Sequence, residues 1–114
     1  MYTFIIKSMT IEIIKKCFQT DRVLYSRHAT FEMDSEEFGK IIDAEVEESI
    51  KNGEIIAEYF DDTPYPSVLV YGETLKKRPL HIVCAYNKND DMVIIITVYH
   101  PNPALWIDGR NRRK

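Results

Sequence analysis

The stretch Gly53–His100, GEIIAEYFDDTPYPSVLVYGETLKKRPLHIVCAYNKNDDMVIIITVYH, decides the fold. Four runs within it, Glu54–Phe60, Ser67–Gly72, Leu80–Tyr86 and Met92–His100, are rich in Ile, Val, Tyr and Phe and bounded by turn residues, which is strand composition. The connecting segments Asp61–Pro66, Glu73–Arg78 and Asn87–Asp91 hold five or six residues. That is enough for hairpins and too little for crossover helices, so the four strands should form an antiparallel meander.

Upstream of Gly53 the apolar spacing is helical. Ile11, Ile14 and Phe18, joined by Ile13 and Cys17, give an amphipathic first helix over Thr10–Phe18 with Thr10 as N-cap. Val23–Tyr25 is a short apolar segment, after which Ser26 caps a second helix carrying His28, Ala29, Phe31, Glu32 and Met33, a unit that Gly39 ends. The third helix reads from Asp43 as N-cap, through Glu45, Glu47 and Glu48 in its early turns, to Lys51, with Gly53 just beyond. Ala44, Val46 and Ile50 give it a narrow apolar stripe, so its acidic face should meet water. Helices first and strands second predict an α+β two-layer domain, with helices covering one face of a four-stranded antiparallel sheet.

With 114 residues, 45% of them apolar, the chain supports one domain. Residues 1–109 read as that domain, with Met1–Ser8 as an added strand or an extension and residues 110–114 as a basic tail. Apart from Arg110, Arg112, Arg113 and Lys114, the chain carries 11 basic against 18 acidic residues, a net −7. A broad polyanion-binding surface is excluded on that balance, and any phosphate contact must be local. Met92–Tyr99, the longest apolar run, is far shorter than the roughly 18 residues of a membrane span, and Met1–Ile6 lacks a secretory pattern. Cys17 and Cys84, 67 positions apart in apolar surroundings, read as reduced thiols of a cytoplasmic protein.

The chain has no glycine-rich phosphate loop, nucleophile elbow, His-Glu-x-x-His or Cys-x-x-Cys. No His or carboxylate ligand spacing sits in an apolar frame, so neither metal nor cofactor is expected. What remains is a set of cations and proton-transfer groups: Arg27 and His28 at a helix start, Arg78 and His81 at a strand start, Tyr99 and His100 at the end of its neighbour. A helix N-terminus favours neutral imidazole and offers N–H groups to an anion, so His28 is either a general base or a histidine packed on the sheet. His81 is either a site residue or a satisfied strand histidine. Arg78 is a phosphate contact or solvated charge, and Tyr99 a proton donor or a core aromatic. The register of the last hairpin decides whether His81 shares a face with Thr97 and Tyr99 or with His100.

Several segments in fixed order carry a resemblance: Arg27-His28-Ala29, Met33, Asn52-Gly53-Glu54-Ile55-Ile56, Tyr59 with Pro64, Arg78-Pro79-Leu80-His81, and Ile96-Thr97-Val98-Tyr99 followed by Pro101, Pro103 and Trp106. From about Leu24 to Trp106 the chain resembles the family called domain of unknown function 4258. Members are similar to small ribonuclease toxins of the RelE and barnase-like superfamily, and some accompany a zinc-finger antitoxin. The resemblance implies a toxin-like, metal-independent endoribonuclease with an RNA substrate and a zinc-finger antitoxin protein as partner. It places His28, Arg78, His81 and Tyr99 as catalytic candidates with Thr97 beside them. Many members carry an Arg after the Met of the second helix, where this chain has Asp34-Ser35-Glu36-Glu37 after Met33.

Cleavage by attack of the 2′-hydroxyl needs a base, a cation for the phosphorane charge and an acid for the leaving oxygen. His28 is expected as base, Arg78 as phosphate clamp and His81 or Tyr99 as acid. Arg27, Thr97, Arg110, Arg112 and Arg113 are expected substrate contacts, the last three on a mobile tail. The competing expectation is a non-catalytic protein- or RNA-binding module of the same fold.

Overall fold

Thr10 accepts a hydrogen bond from the Ile13 N–H at 3.3 Å and opens helix α1, Ile11–Gln19, whose Ile14 and Cys17 are buried. The computed structural model describes residues 9–113. The readings of Met1–Ser8 and Lys114 therefore lie outside the described residues. After α1 come strand β1 (Val23–Tyr25), helix α2 (Arg27–Ser35) and helix α3 (Asp43–Lys51). Strands β2 (Glu54–Tyr59), β3 (Ser67–Glu73), β4 (Pro79–Asn87) and β5 (Met92–Tyr99) follow. Two short strands, β6 (Trp106–Ile107) and β7 (Asn111–Arg112), close the described chain.

The α+β class stands, and one feature of the sheet is a correction. Strands β2 to β5 pair antiparallel in sequence order, but β1 joins beside β5 in parallel, so the sheet has five strands in the order β1-β5-β4-β3-β2. Three residues between two helices give no alternation to read, and β1 exists only because Val23, Leu24 and Tyr25 find Val93, Ile94 and Ile95. A second correction concerns α3. Asp43 is its first helical residue, not its cap; Ile42 is the N-cap, and its N–H is bonded by the Glu45 carboxylate at 3.1 Å. Ala44, expected in the buried stripe, is exposed, and Ser49 lies buried beside Val46 and Ile50 instead.

Ile14, Cys17, Ala29, Met33, Val46 and Ile50 from the helices meet Val68, Val70, Leu80, Ile82, Cys84, Val93, Ile95 and Val98 from the sheet in one core. Both cysteines are free thiols within it, and burial pushes the Cys84 thiol up to about 12, which removes it as a nucleophile. Among the described residues no helix is long and apolar enough to cross a membrane.

The layers touch most closely at Gly72, where a Cβ would overlap the Ser49 backbone. Gly72→Ala should therefore destabilise the domain by about 1–3 kcal/mol or more, read as a lower urea midpoint, because α3 must lift from β3.

Candidate functional site

Period-two alternation and the β4–β5 register sort the expected site residues onto two faces. His81 pairs with Tyr99 and Val83 with Thr97, so His81, Thr97 and Tyr99 share the face away from the helical core. Arg78 and His100 lie on the helix side. The Arg78 Nε–H donates to His100 Nδ1 at 3.2 Å, Nη1 to the Lys40 carbonyl at 3.1 Å and to Glu45, and Nη2 to the Gly39 carbonyl. Its three nitrogens thus tie the α2–α3 connection and α3 to the sheet. The expected phosphate clamp is a structural clamp, and it does not share a face with His81.

His81 is fully buried, and both ring nitrogens are engaged. The Gly109 carbonyl can only accept, so Nε2 carries the proton; Nδ1 then accepts from the Tyr99 hydroxyl at 3.0 Å. Burial holds the imidazole pKa below its ordinary value, opposed by the bond to Gly109. Burial also raises Tyr99, with Tyr59 and Glu32 adding to the effect and Arg112 opposing it. The Trp106 ring stands edge-on to His81 at 4.5 Å between centroids, and Tyr71 does the same at 6.0 Å.

The expected mobile tail is a correction. Asp108 and Gly109 both have positive φ, the Arg110 N–H donates to the Ile107 carbonyl at 3.0 Å, and β6 and β7 pair across this turn. An Asp-Gly pair in a primed turn is a strong hairpin signal, and it was legible in WIDGRNR. Arg110 lies over the Tyr71 ring at 4.5 Å and pairs with Glu54; Arg112 lies over Trp106 at 5.6 Å; the Arg113 Nε–H donates to the Pro103 carbonyl at 2.9 Å. The face expected to be open is covered by this hairpin at its His81 end.

His28 is in the first turn of α2, with its side chain 63% exposed, and its Nε2 lies 3.3 Å from Glu32 Oε2. Glu32 Oε1 accepts the Val98 N–H at 3.2 Å, and Glu36 accepts the His100 N–H at 2.8 Å. These carboxylates, which the sequence reading passed over as site residues, bond to β5 beyond the reach of β1 and hold α2 along it. The only signal was their i, i+4 spacing on one helix face. Arg27 is exposed next to His28, and Thr97 is half-buried behind Tyr99 on the same face. Among the described residues no group of three His, Cys, Asp or Glu side chains is placed to hold a metal ion.

Residues 25–100 match the sequence profile described as Domain of unknown function (DUF4258). The chain belongs to this family. The DUF4258 segment runs from the last residue of β1 through β5, so it contains His28, Arg78, His81 and Tyr99, while Trp106 and the β6–β7 arginines lie beyond it. No curated protein and no solved structure matches the chain.

Because Arg78 bridges the α2–α3 connection, α3 and β4, Arg78→Ala should lower stability by about 1–2 kcal/mol in urea unfolding by removing several charge-assisted hydrogen bonds at once. Arg78→Lys should recover little of it, since an ammonium cannot span these acceptors at once.

Proposed function

We propose that this DUF4258 domain is a metal-independent endoribonuclease of the toxin-like kind, working at the sheet end around Tyr99. The observation that carries this reading is the convergence on Tyr99 of the His81 imidazole at 3.0 Å with Glu32 and Arg112 in electrostatic reach. A buried histidine bonded to a tyrosine with a cation in electrostatic reach, taken together with the exposed His28 of α2, supplies the groups that general acid–base chemistry on a phosphodiester uses.

The roles differ in one respect from those the sequence assigns. His28 is the base that takes the 2′-hydroxyl proton. Glu32 is its positioning residue: it holds Nε2–H and leaves the Nδ1 lone pair as acceptor, and its other oxygen is fixed on Val98. The Tyr99 hydroxyl protonates the leaving 5′-oxygen, and it can be resupplied by His81 only when Nδ1 carries a proton in addition to Nε2. Arg112 replaces Arg78 as the cation for the phosphorane, since Arg78 is bonded within the helical layer. Arg27 and Arg113 are the further phosphate contacts of this reading, and a zinc-finger antitoxin is the partner the family resemblance suggests.

With purified protein and a mixed RNA pool, His28→Ala should lower cleavage by about 10²-fold or more at the wild-type Tm, and Tyr99→Phe should do the same in a protein that remains folded. Glu32→Gln should lower the rate of cleavage more than it weakens RNA binding, because it loosens the ion-pair hold on His28 Nε2. EDTA should leave the rate unchanged, and products should end in a cyclic or 3′-phosphate. The second reading, a binding module, is favoured by one observation, the enclosure of His81. Intact RNA at every pH, with His28→Ala indistinguishable from wild type, would move the conclusion to that module.

A further inference from the structure

The β6–β7 hairpin forms its own two-stranded sheet, and no strand ladder joins it to the main one. It nevertheless encloses a titratable side chain completely, and its attachments to that side chain differ from the rest. Arg110 and Arg112 hold the hairpin through an exposed ion pair and ring contacts, which are weak and tolerant of exchange. The bond from the buried His81 ring to the Gly109 carbonyl is part-buried and directional, and it joins the turn of the hairpin to β4. We propose that Trp106–Arg112 is a cover over the His81–Tyr99 pair, latched by the His81 Nε2–H on the Gly109 carbonyl and released when His81 takes a second proton. This deepens the ribonuclease reading and rests on it for its consequence in activity.

The latch follows from what faces the imidazole on every side. Tyr71 of β3 and Trp106 of β6 present rings, Tyr99 of β5 its hydroxyl, and the turn its Gly109 carbonyl. Among the described residues no carboxylate is bonded to the ring. Glu54 is engaged by Arg110, Glu73 accepts from the Tyr71 hydroxyl at 3.3 Å, and Glu32 is engaged by His28 and the Val98 N–H. Arg110 and Arg112, both cations, sit over the two rings that line the cage. An imidazolium here keeps its Nε2–H bond to Gly109, which favours the charge, but desolvation of the fully buried ring outweighs that bond, so protonation favours the uncovered state, where water solvates the charge. The sign is fixed: a histidine whose proton affinity is lowered under the cover stabilises the closed form above the ordinary histidine pKa and loses that effect as pH falls through it.

Covering also points the reacting group the wrong way. In the closed form the Tyr99 hydroxyl gives its hydrogen to Nδ1, so it is not aimed at a substrate. With Nδ1 protonated, His81 donates to Tyr99, and the hydroxyl hydrogen turns outward toward a leaving oxygen. One proton therefore opens the site and arms its acid.

The glycine at the latch supplies a variant that opens the cover without touching His81 or Tyr99. Gly109 has φ +73°, and a Cβ there would overlap the Tyr71 ring, so Gly109→Val should displace the hairpin. Trp106 is the single tryptophan of the chain, so acrylamide quenching of the full-length protein reports on the cover directly. From about pH 8 to about pH 5 the wild-type quenching constant should rise about twofold with far-UV circular dichroism unchanged. His81→Gln, which keeps a donor for Gly109 and cannot titrate, should stay shielded throughout, and Gly109→Val should be exposed at both ends. Equal shielding of the wild type at both pH values, the same transition in His81→Gln, or exposure coincident with loss of circular dichroism would overturn the cover. RNA cleavage should be about tenfold faster in Gly109→Val than in wild type at the higher pH, the inverse of a minor open population. If Trp106 responds as expected and neither protein cuts RNA, the cover stands and the ribonuclease reading falls.

Discussion

The structure depends on how the bare edge of β5 is satisfied. Strand β1 reaches only Val93–Ile95, so beyond that point the outer N–H and C=O groups of β5 need partners from elsewhere. Helix α2 supplies them from side chains. The Ser26 hydroxyl bonds the Ile96 carbonyl at 3.1 Å while accepting the Ala29 N–H at 3.0 Å, and Glu32 and Glu36 take the N–H groups of Val98 and His100. One residue thus caps a helix and closes a strand edge, and two carboxylates one helical turn apart extend the repair. Because β-strand N–H groups on one edge recur about every two residues, near 6.6 Å, an i, i+4 pair on a helix is a natural match.

That repair places the chemistry. Helix α2 cannot shift along β5 without breaking these bonds, so His28, one turn before Glu32, is held on the Ile96 side of the Val98 contact, while Tyr99 emerges on the other face of the strand. A one-residue bulge, with Val83 opposite Thr97 and Cys84 opposite Ile95, leaves Ile96 unpaired in the β4 ladder, and its carbonyl is the one Ser26 takes. The bulge also keeps Ile95 and Val98 both in the core while Thr97 and Tyr99 face outward. On the helical side Arg78 performs a similar service, gathering the carbonyls of Gly39 and Lys40 that no regular element satisfies.

The enclosed histidine links this scaffold to function. A fully buried His81 with a rigid pair of partners is compatible with a structural role, yet it sits at the one place where the sheet is covered by a separate hairpin and not by the helical layer. The family-matched segment ends at His100, so the scaffold of the DUF4258 domain and the element that encloses His81 are distinct parts of the chain.

The sequence by itself determined the elements whose signals are local. Thr10 and Ser26 as caps, the change of period at Gly53 and the four meander strands were legible because caps, turns and alternation involve residues a few positions apart. The Asp108-Gly109 turn was equally local and went unread. Only the tertiary structure decided the rest. A three-residue strand carries no periodicity, so β1 depends on β5, which lies about 70 residues away. The hairpin register, which pairs His81 with Tyr99, hinges on a bulge that side-chain composition does not mark. Whether Arg78 meets a phosphate or a carbonyl, and whether His81 faces water or Gly109, turns on contacts 28 to 39 residues apart. An ionisable side chain has the same intrinsic chemistry in either setting; its partners and its access to solvent come from the packed chain.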